Sequence, residues 1–315
     1  YYRYNVLDTV DPFYETYNKK FPIKTKEKIL VLPYLLNKGC PYSCSFCAVS
    51  ASKNRNVFYK KPEKIKNELK VLKNKYKTKY FFFMDSTLNS DYKWLGKVCE
   101  AIKDLNILWS DSATPSNFPK DILKSMGESG CVRITWGVES LSDNVLKRMK
   151  KAFNVKTALE TLKKSSEVGI WNYTNWIAGF PHETKKDLDE TLKRIKSNKD
   201  IIDDYTVTGF IFQASDMQNH PEKYGIEPIY EEDYVESAKH RMITSSFNEI
   251  KGFDWKDKQN QIETFRKKMI KILNDSVPNV LPMQTVFYLY DKFKEKKEIK
   301  NWINRIKRNH NKINL

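Results

Sequence analysis

Short apolar runs rich in β-branched and aromatic residues alternate with longer, charged and amphipathic runs along most of this chain. Such alternation is typical of repeated βα units, which place parallel strands in one sheet covered by helices. Six units can be counted, and their predicted strands span 29–35, 80–84, 107–112, 132–138, 170–178 and 205–212. The chain is therefore expected to have an α/β fold, a partial (β/α)6 barrel of the TIM type, with its chemistry on loops that follow the carboxyl ends of the strands.

Amphipathic runs and helix-end signals predict a helix after each strand. Pro62 and Pro119 suit the first turn of a helix, and Gly169 suits the position after the last turn. After Pro221 the alternation gives way to helical runs over 231–247, 257–273 and 284–308. We therefore expect three parts: an N-terminal extension over 1–28, a core barrel over 29–226, and a C-terminal helical, substrate-facing subdomain over 227–315.

The charge of the chain bears on its partners. Fifty-six Lys and Arg against thirty-nine Asp and Glu leave a net charge of +17, which favours acidic substrates, phosphorylated metabolites or nucleic acid. The excess is spread along the chain without a basic stripe interleaved with aromatic residues, so nucleic acid is not the favoured partner. Neither a bilayer-length apolar run nor a signal peptide is found, which predicts a cytoplasmic protein without a membrane partner. Because the chain starts at Tyr1 rather than at a methionine, the sequence leaves open whether a segment precedes it.

Three of the five cysteines, Cys40, Cys44 and Cys47, lie within eight residues, directly after the first predicted strand. An odd number of cysteines with this spacing fits a metal site in a reducing compartment better than a disulfide framework. Three such thiolates can hold three irons of a cubic [4Fe-4S] cluster and leave the fourth iron without a protein ligand. An iron without a protein ligand can bind a small molecule and pass an electron to it.

The alternative is a zinc site, which needs four ligands in a closed tetrahedron. The fourth would have to come from Cys99, Cys131 or a distant histidine. With the positive charge, this alternative gives a basic zinc-binding module for nucleic acid, a different class of protein. Cys99 and Cys131 read most simply as buried small apolar residues. No cysteine follows Cys131, so one cluster is expected.

The loop from Cys40 to Cys47, with aromatic Phe46 before the last cysteine, resembles that of the radical S-adenosylmethionine (SAM) superfamily. The resemblance covers about 33–226 and is greatest to the branch often associated with cobalamin-binding domains. It implies that the cluster cleaves SAM to a 5'-deoxyadenosyl radical, which abstracts hydrogen from a peptide or small metabolite; the charge of the chain favours an acidic one. It also implies a reducing electron donor such as flavodoxin or ferredoxin.

The resemblance implies a first group of SAM-binding residues around the cluster and the second strand. Phe46 would pack near the adenine. Asp85 and Ser86 follow the second strand, where family members bind the SAM amino group, often with a glycine-rich turn that this chain lacks. A role for Asp85 as a solvated strand-end residue stays open beside the ligand role.

A second group follows the fourth and fifth strands. Glu139 and Ser140 belong to a Gly-Val-Glu-Ser segment similar to that of the family, in which the carboxylate accepts hydrogen bonds from ribose hydroxyls. Lys151 matches a basic residue that pairs with the SAM carboxylate, although neighbouring basic residues make an ordinary surface role an alternative. Asn175 lies where relatives place a polar ribose contact.

Two further points concern the family pattern and the reaction. In the segment over 179–184, His182 stands where relatives have glycine, which argues against a left-handed backbone there and favours an exposed histidine. The fate of the substrate radical stays open among epimerisation, oxidation and methyl transfer, and no catalytic residue is assigned. The chain has no Asp-x-His-x-x-Gly segment for cobalamin. A cobalamin-dependent methyltransferase with its binding domain upstream is therefore the alternative within the enzyme class.

Overall fold

A computed structural model describes residues 29–51, 55–211, 215–229, 246–274, 281 and 283–313. The predicted N-terminal extension lies outside these ranges. So does nearly all of the predicted helix over 231–247, whose last residue, Phe247, begins a strand instead.

The strands of the described residues are β1 (Val31–Tyr34), β2 (Asn37–Lys38), β3 (Phe58–Tyr59), β4 (Tyr80–Phe83), β5 (Leu108–Ala113), β6 (Cys131–Glu139), β7 (Trp171–Ala178), β8 (Asp204–Gly209), β9 (Ile226–Pro228) and β10 (Phe247–Glu249). One sheet holds six parallel strands in the order β1, β4, β5, β6, β7, β8. The pairs β2 with β3 and β9 with β10 are antiparallel ribbons. The six predicted parallel strands are confirmed, and in the described residues the sheet is open rather than a closed barrel.

The α-helices are α1 (Pro62–Tyr76), α2 (Tyr92–Ile102), α3 (Lys120–Glu128), α4 (Asp143–Arg148), α5 (Val155–Glu167), α6 (Lys185–Ser197), α7 (Asp216–Asn219), α8 (Trp255–Asn274), α9 (Met283–Phe293) and α10 (Lys296–Ile313). Helices α1 to α3, α5 and α6 pack on the outer face of the sheet, where alternate strand residues such as Phe83, Trp109 and Trp136 are fully buried. This core positions the carboxyl ends of the strands together at one edge of the sheet.

The last two helices, α9 and α10, pack under the amino ends of the strands. Phe287 and Tyr290 of α9 share an apolar cluster with Val132 and Trp171, which lie at the starts of β6 and β7. These helices lie at the end of the sheet opposite to the cysteine loop. The substrate-facing role that we predicted for the C-terminal region stays a prediction. The division of the chain at 28 and 226 stays a prediction.

Helix α8 is attached to the turn after β7 by a buried lysine. Lys258 is fully buried, and its ammonium lies 2.7 Å from a carboxylate oxygen of Glu249. It also donates hydrogen bonds to the carbonyls of Glu183 (2.9 Å) and Phe180 (3.3 Å). A charge removed from water this completely must be paired and hydrogen-bonded, and all three partners come from outside α8. The lysine therefore joins α8, the β10 ribbon and the turn.

Replacing Lys258 by methionine should destabilise the protein by about 3–5 kcal/mol, because the buried carboxylate of Glu249 would lose its ammonium partner. The matched control is Lys267→Met on the same helix. Lys267 pairs with Glu263 at 3.4 Å in an exposed position, so its loss should cost less than about 1 kcal/mol. Urea unfolding of both variants measures the difference. Equal destabilisation would contradict the role given to Lys258.

Candidate active site

The inner face of the sheet carries polar side chains, and we call the space that this face bounds the lumen. On this face Arg133 of β6 lies over the ring of Tyr173 on β7, with its guanidinium carbon 4.2 Å from the ring centroid. Nη1 of Arg133 donates a hydrogen bond to Oγ of Ser110 at 3.3 Å, and Nε has no partner among the described residues. Thr135 and Asn175, further along β6 and β7, are partly exposed. The lumen thus has a cationic floor and polar walls.

The cysteine loop begins where β1 ends and is closed at its base by the β2–β3 ribbon. Within the loop, the Cys47 amide donates to the Cys44 carbonyl at 3.2 Å, and Oγ of Ser50 donates to the carbonyls of both cysteines. These bonds form a tight turn with all three thiols partly exposed. Burial raises the pKa of the Cys40 and Cys44 thiols, and the nearby Lys151 ammonium opposes that rise.

Gly39, directly before Cys40, has a φ of +110°. A Cβ at this position would lie 2.3 Å from the carbonyl oxygen of Asn56, which precedes β3. Only glycine tolerates both this backbone angle and this close approach. The position therefore lets the chain turn sharply into the loop.

Asp85 supports the start of the loop. Its Oδ1 accepts hydrogen bonds from the amides of Leu36 (2.9 Å) and Asn37 (3.1 Å), and its Oδ2 accepts one from the Asn37 side chain at 2.7 Å. The carboxyl group is buried. Both oxygens thus accept hydrogen bonds from the loop, and the burial of the carboxyl group contradicts the alternative of a solvated strand-end residue. The contact between Asp85 and SAM stays a prediction. Asp85 orients the segment that leads to Cys40.

The same burial makes Asp85 sensitive to pH. Burial raises the pKa of Asp85 to about 7, and the backbone amides of Asn37 and Leu36 oppose this rise. Asp111, on the neighbouring strand β5, does not offset this rise in the pKa of Asp85. Burial and the nearby Asp85 carboxyl group also raise the pKa of Asp111. Between pH about 4 and about 7 the folded chain therefore holds a proton that the unfolded chain releases, so stability falls as the pH rises through this window.

The Asp85→Asn variant should remove part of this fall, on the order of 2 kcal/mol. Its amide still accepts from the two backbone amides, and the Asn37 side chain can turn its unpartnered Oδ1 toward the new NH2 group. Unfolding free energies measured from pH 4 to pH 8 test this. A variant with the same pH dependence as the natural sequence would show that Asp85 does not titrate in this range.

Glu139, Lys151 and Phe46 meet at the rim of the lumen. Nζ of Lys151 lies 3.3 Å from Oε1 of Glu139, and both side chains are nearly buried. The same ammonium lies 5.6 Å from the ring centroid of Phe46. Burial raises the pKa of Glu139, and attraction to Lys151 opposes this rise. Three of the residues predicted to bind SAM are thus adjacent to one another and to the cysteine loop.

The remaining predicted residues divide. Asn175 is on the inner face, in register with Gly137. Its side-chain amide makes no hydrogen bond within the described part of the chain. Ser86 is exposed at the end of β4. Ser140 is buried, and its Oγ lies 3.2 Å from the Thr191 hydroxyl of α6. Its side chain faces the outer helices, and the contact between Ser140 and SAM stays a prediction.

His182 corrects another expectation. It adopts a φ of +59°, the left-handed conformation that its glycine-bearing relatives suggested and that we did not expect of a histidine. The strain is compensated locally. The His182 amide donates to Glu249 at 2.6 Å, and Nε2 lies 2.7 Å from the Tyr224 carbonyl oxygen, so the ring is partly buried.

The sequence reading did not single out Arg133, Lys258 or Ser45. Arg133 could have been found from the sequence, because an arginine within an otherwise apolar strand needs partners on the inner face. The roles of Lys258 and Ser45 could not have been found in this way, because their partners lie far away in sequence.

The donor set fits an iron–sulfur cluster. The cysteines are free thiols in the structure, and Cys40, Cys44 and Cys47 lie on one polar loop beside a lysine. Within the described ranges, no three side chains of His, Cys, Asp or Glu are arranged to share a single metal ion. Thiolates are the protein ligands of [4Fe-4S] clusters, and each binds a different iron.

These features define an α/β protein with a three-thiolate loop at the carboxyl end of a parallel sheet. The sequence model of the radical SAM superfamily matches residues 34–195, about half of the chain. The chain belongs to the radical SAM superfamily, whose members use a [4Fe-4S] cluster and SAM. The predicted family is confirmed.

Relatives add further context. The chain is 28% identical over 164 residues to an uncharacterised methyltransferase of Pyrococcus horikoshii, covering 51% of this chain and 36% of that protein. It is 26% identical over 176 residues to bacteriochlorophyllide d C-12(1)-methyltransferase of Chlorobaculum tepidum, covering 54% and 38%. The chain spans little more than a third of the length of these two relatives.

Among solved structures, the fold is similar to the radical SAM methyltransferase TsrM of Kitasatospora setae, determined with cobalamin and a [4Fe-4S] cluster. The TM-score is 0.62 at 12% identity, covering 80% of this chain and 53% of that chain. In the part of this chain that the structure describes, no helix is both long and apolar enough to cross a bilayer.

Proposed function

We propose that this chain is the catalytic core of an enzyme that cleaves SAM to a 5'-deoxyadenosyl radical and abstracts hydrogen from a substrate in the lumen. The observation that carries the proposal is the meeting of Glu139, Lys151 and Phe46 beside the three thiols. When bound at Cys40, Cys44 and Cys47, the cluster supplies one electron to the sulfonium of SAM.

The residues at the rim divide the work of holding SAM. Lys151 is placed to bind the carboxylate of the methionine part, and Glu139 is placed to accept hydrogen bonds from the ribose hydroxyls. Asn175 lies on the neighbouring strand, where a free amide can add a ribose contact, and the Phe46 ring offers an apolar face to the adenine. Ser86 stays a proposed contact of the SAM amino group, because it is exposed at the end of β4.

The substrate that suits the lumen carries an anionic group. Arg133 is 7% exposed and projects from the floor of the lumen, and its Nε is without a partner among the described residues. A carboxylate or phosphate would supply the acceptors that a guanidinium requires. Gly137 at the rim is four residues further along β6, about 13 Å away at 3.3 Å per residue. A small acidic metabolite or an acidic peptide side chain could span this distance to the SAM site.

The counter-charge near Arg133 does not occupy it. Asp204, on β8, is the acidic residue whose charge acts most on Arg133. Its two oxygens accept hydrogen bonds from the amides of Tyr205 and Leu281, both at 2.8 Å. Burial raises the pKa of Asp204 to about 7. Because the oxygens of Asp204 accept these hydrogen bonds, N–H donors of the Arg133 guanidinium remain available to a ligand.

Cobalamin-dependent methyl transfer is the second candidate. It is favoured by the two curated methyltransferase relatives and by the similarity to TsrM. A cobalamin-binding part would have to lie beyond the segment that this chain shares with them. The sulfonium methyl group, rather than a hydrogen atom, would then be transferred.

Both candidates require an electron donor, and we propose a flavodoxin or ferredoxin. An oxygen-sensitive cluster and five free thiols suit a reducing compartment, which we propose to be the cytoplasm.

Anaerobic reconstitution followed by dithionite and SAM should yield 5'-deoxyadenosine and methionine. The Glu139→Gln variant should bind SAM ten- to a hundredfold more weakly, as expected for loss of one charge-assisted hydrogen bond of about 1.5–3 kcal/mol. Its iron content should be unchanged, because Glu139 is not a cluster ligand. Product chromatography, equilibrium dialysis with SAM and iron analysis measure these three quantities.

Two outcomes of that assay would change the assignment. Formation of S-adenosylhomocysteine only when cobalamin is added would favour the methyltransferase. A reconstituted cluster that yields neither product in the presence of dithionite would contradict both candidates.

The anionic substrate can be tested without knowing its identity. Small molecules from a cell extract, fractionated on an anion exchanger, should contain a retained fraction that accelerates SAM cleavage by the natural protein. The Arg133→Met variant should keep the slow cleavage seen without substrate and lose at least about tenfold of the acceleration. An active fraction that flows through unretained, or one that accelerates the variant equally, would remove the role of Arg133.

A further inference from the structure

A basic groove lies on the outer side of the cysteine loop, away from the lumen. We define it by four cations on its rim, Lys147, Arg148, Lys150 and Lys223, and by two apolar residues on its floor, Phe180 and Met217. Its volume is 560 Å³. It combines an apolar centre with a charged rim, the composition of a protein-binding surface.

The positive charge of the basic groove is largely uncompensated. Lys147, Arg148 and Lys223 are exposed, and among the described residues no carboxylate lies within ion-pair distance of any of them. Lys150 alone is paired, with Asp216 at 3.2 Å. A cluster of unpaired cations around an apolar centre attracts an acidic partner and speeds its association.

The wall of the basic groove is bonded directly to the cysteine loop. Ser45, between the second and third cysteines, donates from its amide to the Met149 carbonyl (3.0 Å) and from its hydroxyl to the Arg148 carbonyl (3.2 Å). The Met217 amide in turn donates to the Ser45 carbonyl at 3.2 Å. The loop and the groove therefore share one backbone network.

An aromatic contact joins the floor of the groove to the cluster ligands. The ring of Phe180 lies 6.1 Å from the ring of Phe46, in an edge-on arrangement, and Phe46 directly precedes Cys47. The lysine-rich pocket around Lys297, by contrast, lies under the amino ends of the strands, against α9 and α10.

We propose that the basic groove is the docking surface of an acidic electron-carrier protein, which delivers electrons to the cluster from the side opposite to SAM. The proposal rests on the proposed function, because it requires a cluster at the three thiols. One electron leaves the reduced carrier, which is oxidised by one electron, and the cluster is reduced by one electron. No bond forms or breaks at the surface.

A matched pair of charge-reversal variants tests the surface. The groove variant carries Lys147→Glu, Arg148→Glu and Lys223→Glu. The control variant carries Lys70→Glu, Lys97→Glu and Lys297→Glu, three exposed lysines on other faces of the molecule, with the same change in net charge. The probe is flavodoxin, an acidic carrier.

Two measurements are made on the reconstituted proteins. Calorimetric titration with oxidised flavodoxin, at low and high salt, should show binding that the groove variant loses by about tenfold or more and the control variant keeps. SAM cleavage driven by reduced flavodoxin should show a similar rise in KM for flavodoxin in the groove variant. With dithionite as reductant, all three proteins should cleave SAM at the same rate.

The outcomes separate this proposal from the proposed function. Equal loss of flavodoxin binding in both variants, or retention in both, would overturn the docking surface. Binding of single-stranded RNA that competes with flavodoxin in the groove would also overturn it. Failure of all three proteins with dithionite would count against the proposed function instead, while the calorimetric comparison would still decide the surface.

Discussion

The site depends on hydrogen bonds that give a fixed shape to a loop with little regular structure of its own. Asp85 holds the backbone at the start of the loop, at Leu36 and Asn37, and Ser45 ties its middle to the end of α4. Both supports come from segments that follow other strands of the same sheet. Because parallel strands bring their carboxyl ends to one edge, residues far apart in sequence can meet around three thiols. The fold therefore provides the anchoring points, and the loop provides the ligands.

The same edge arranges charge around the site in two directions. On the inner side, Lys151 and Glu139 form a nearly buried pair, so each can change partners when a ligand with its own carboxylate and hydroxyl groups arrives. On the outer side, the cations of the basic groove remain in water and act at longer range. Deeper in the lumen, Arg133 provides a further positive charge. Positively charged residues that are spread evenly along the sequence are thus brought close to the cysteine loop and the inner face of the sheet.

The sequence predicted the parallel sheet, the helices between the strands and the position of the cysteine loop because these follow from local patterns. Periodicity reports which face of an element is buried, and the cysteine spacing lies within eight residues. The hydrogen-bond partners of Asp85 and Ser140 could not be predicted from the sequence, because the direction of a side chain at a strand end depends on bulges and on neighbours from other strands, as at the register shift between Gly137 and Glu139. The packing of α9 and α10 under the sheet depends on contacts separated by more than a hundred residues, which helical periodicity does not encode.

That register shift also sets Glu139 apart from every other residue of its strand. Its φ of +67° lies in the left-handed region, which costs a side chain with a Cβ roughly 1–2 kcal/mol. A glycine would relieve this strain but would bring no carboxylate to Lys151. The chain thus accepts a less stable backbone at the one place where a carboxylate must turn back over the strand end, and selection for thermal stability alone would work against the acid at this position.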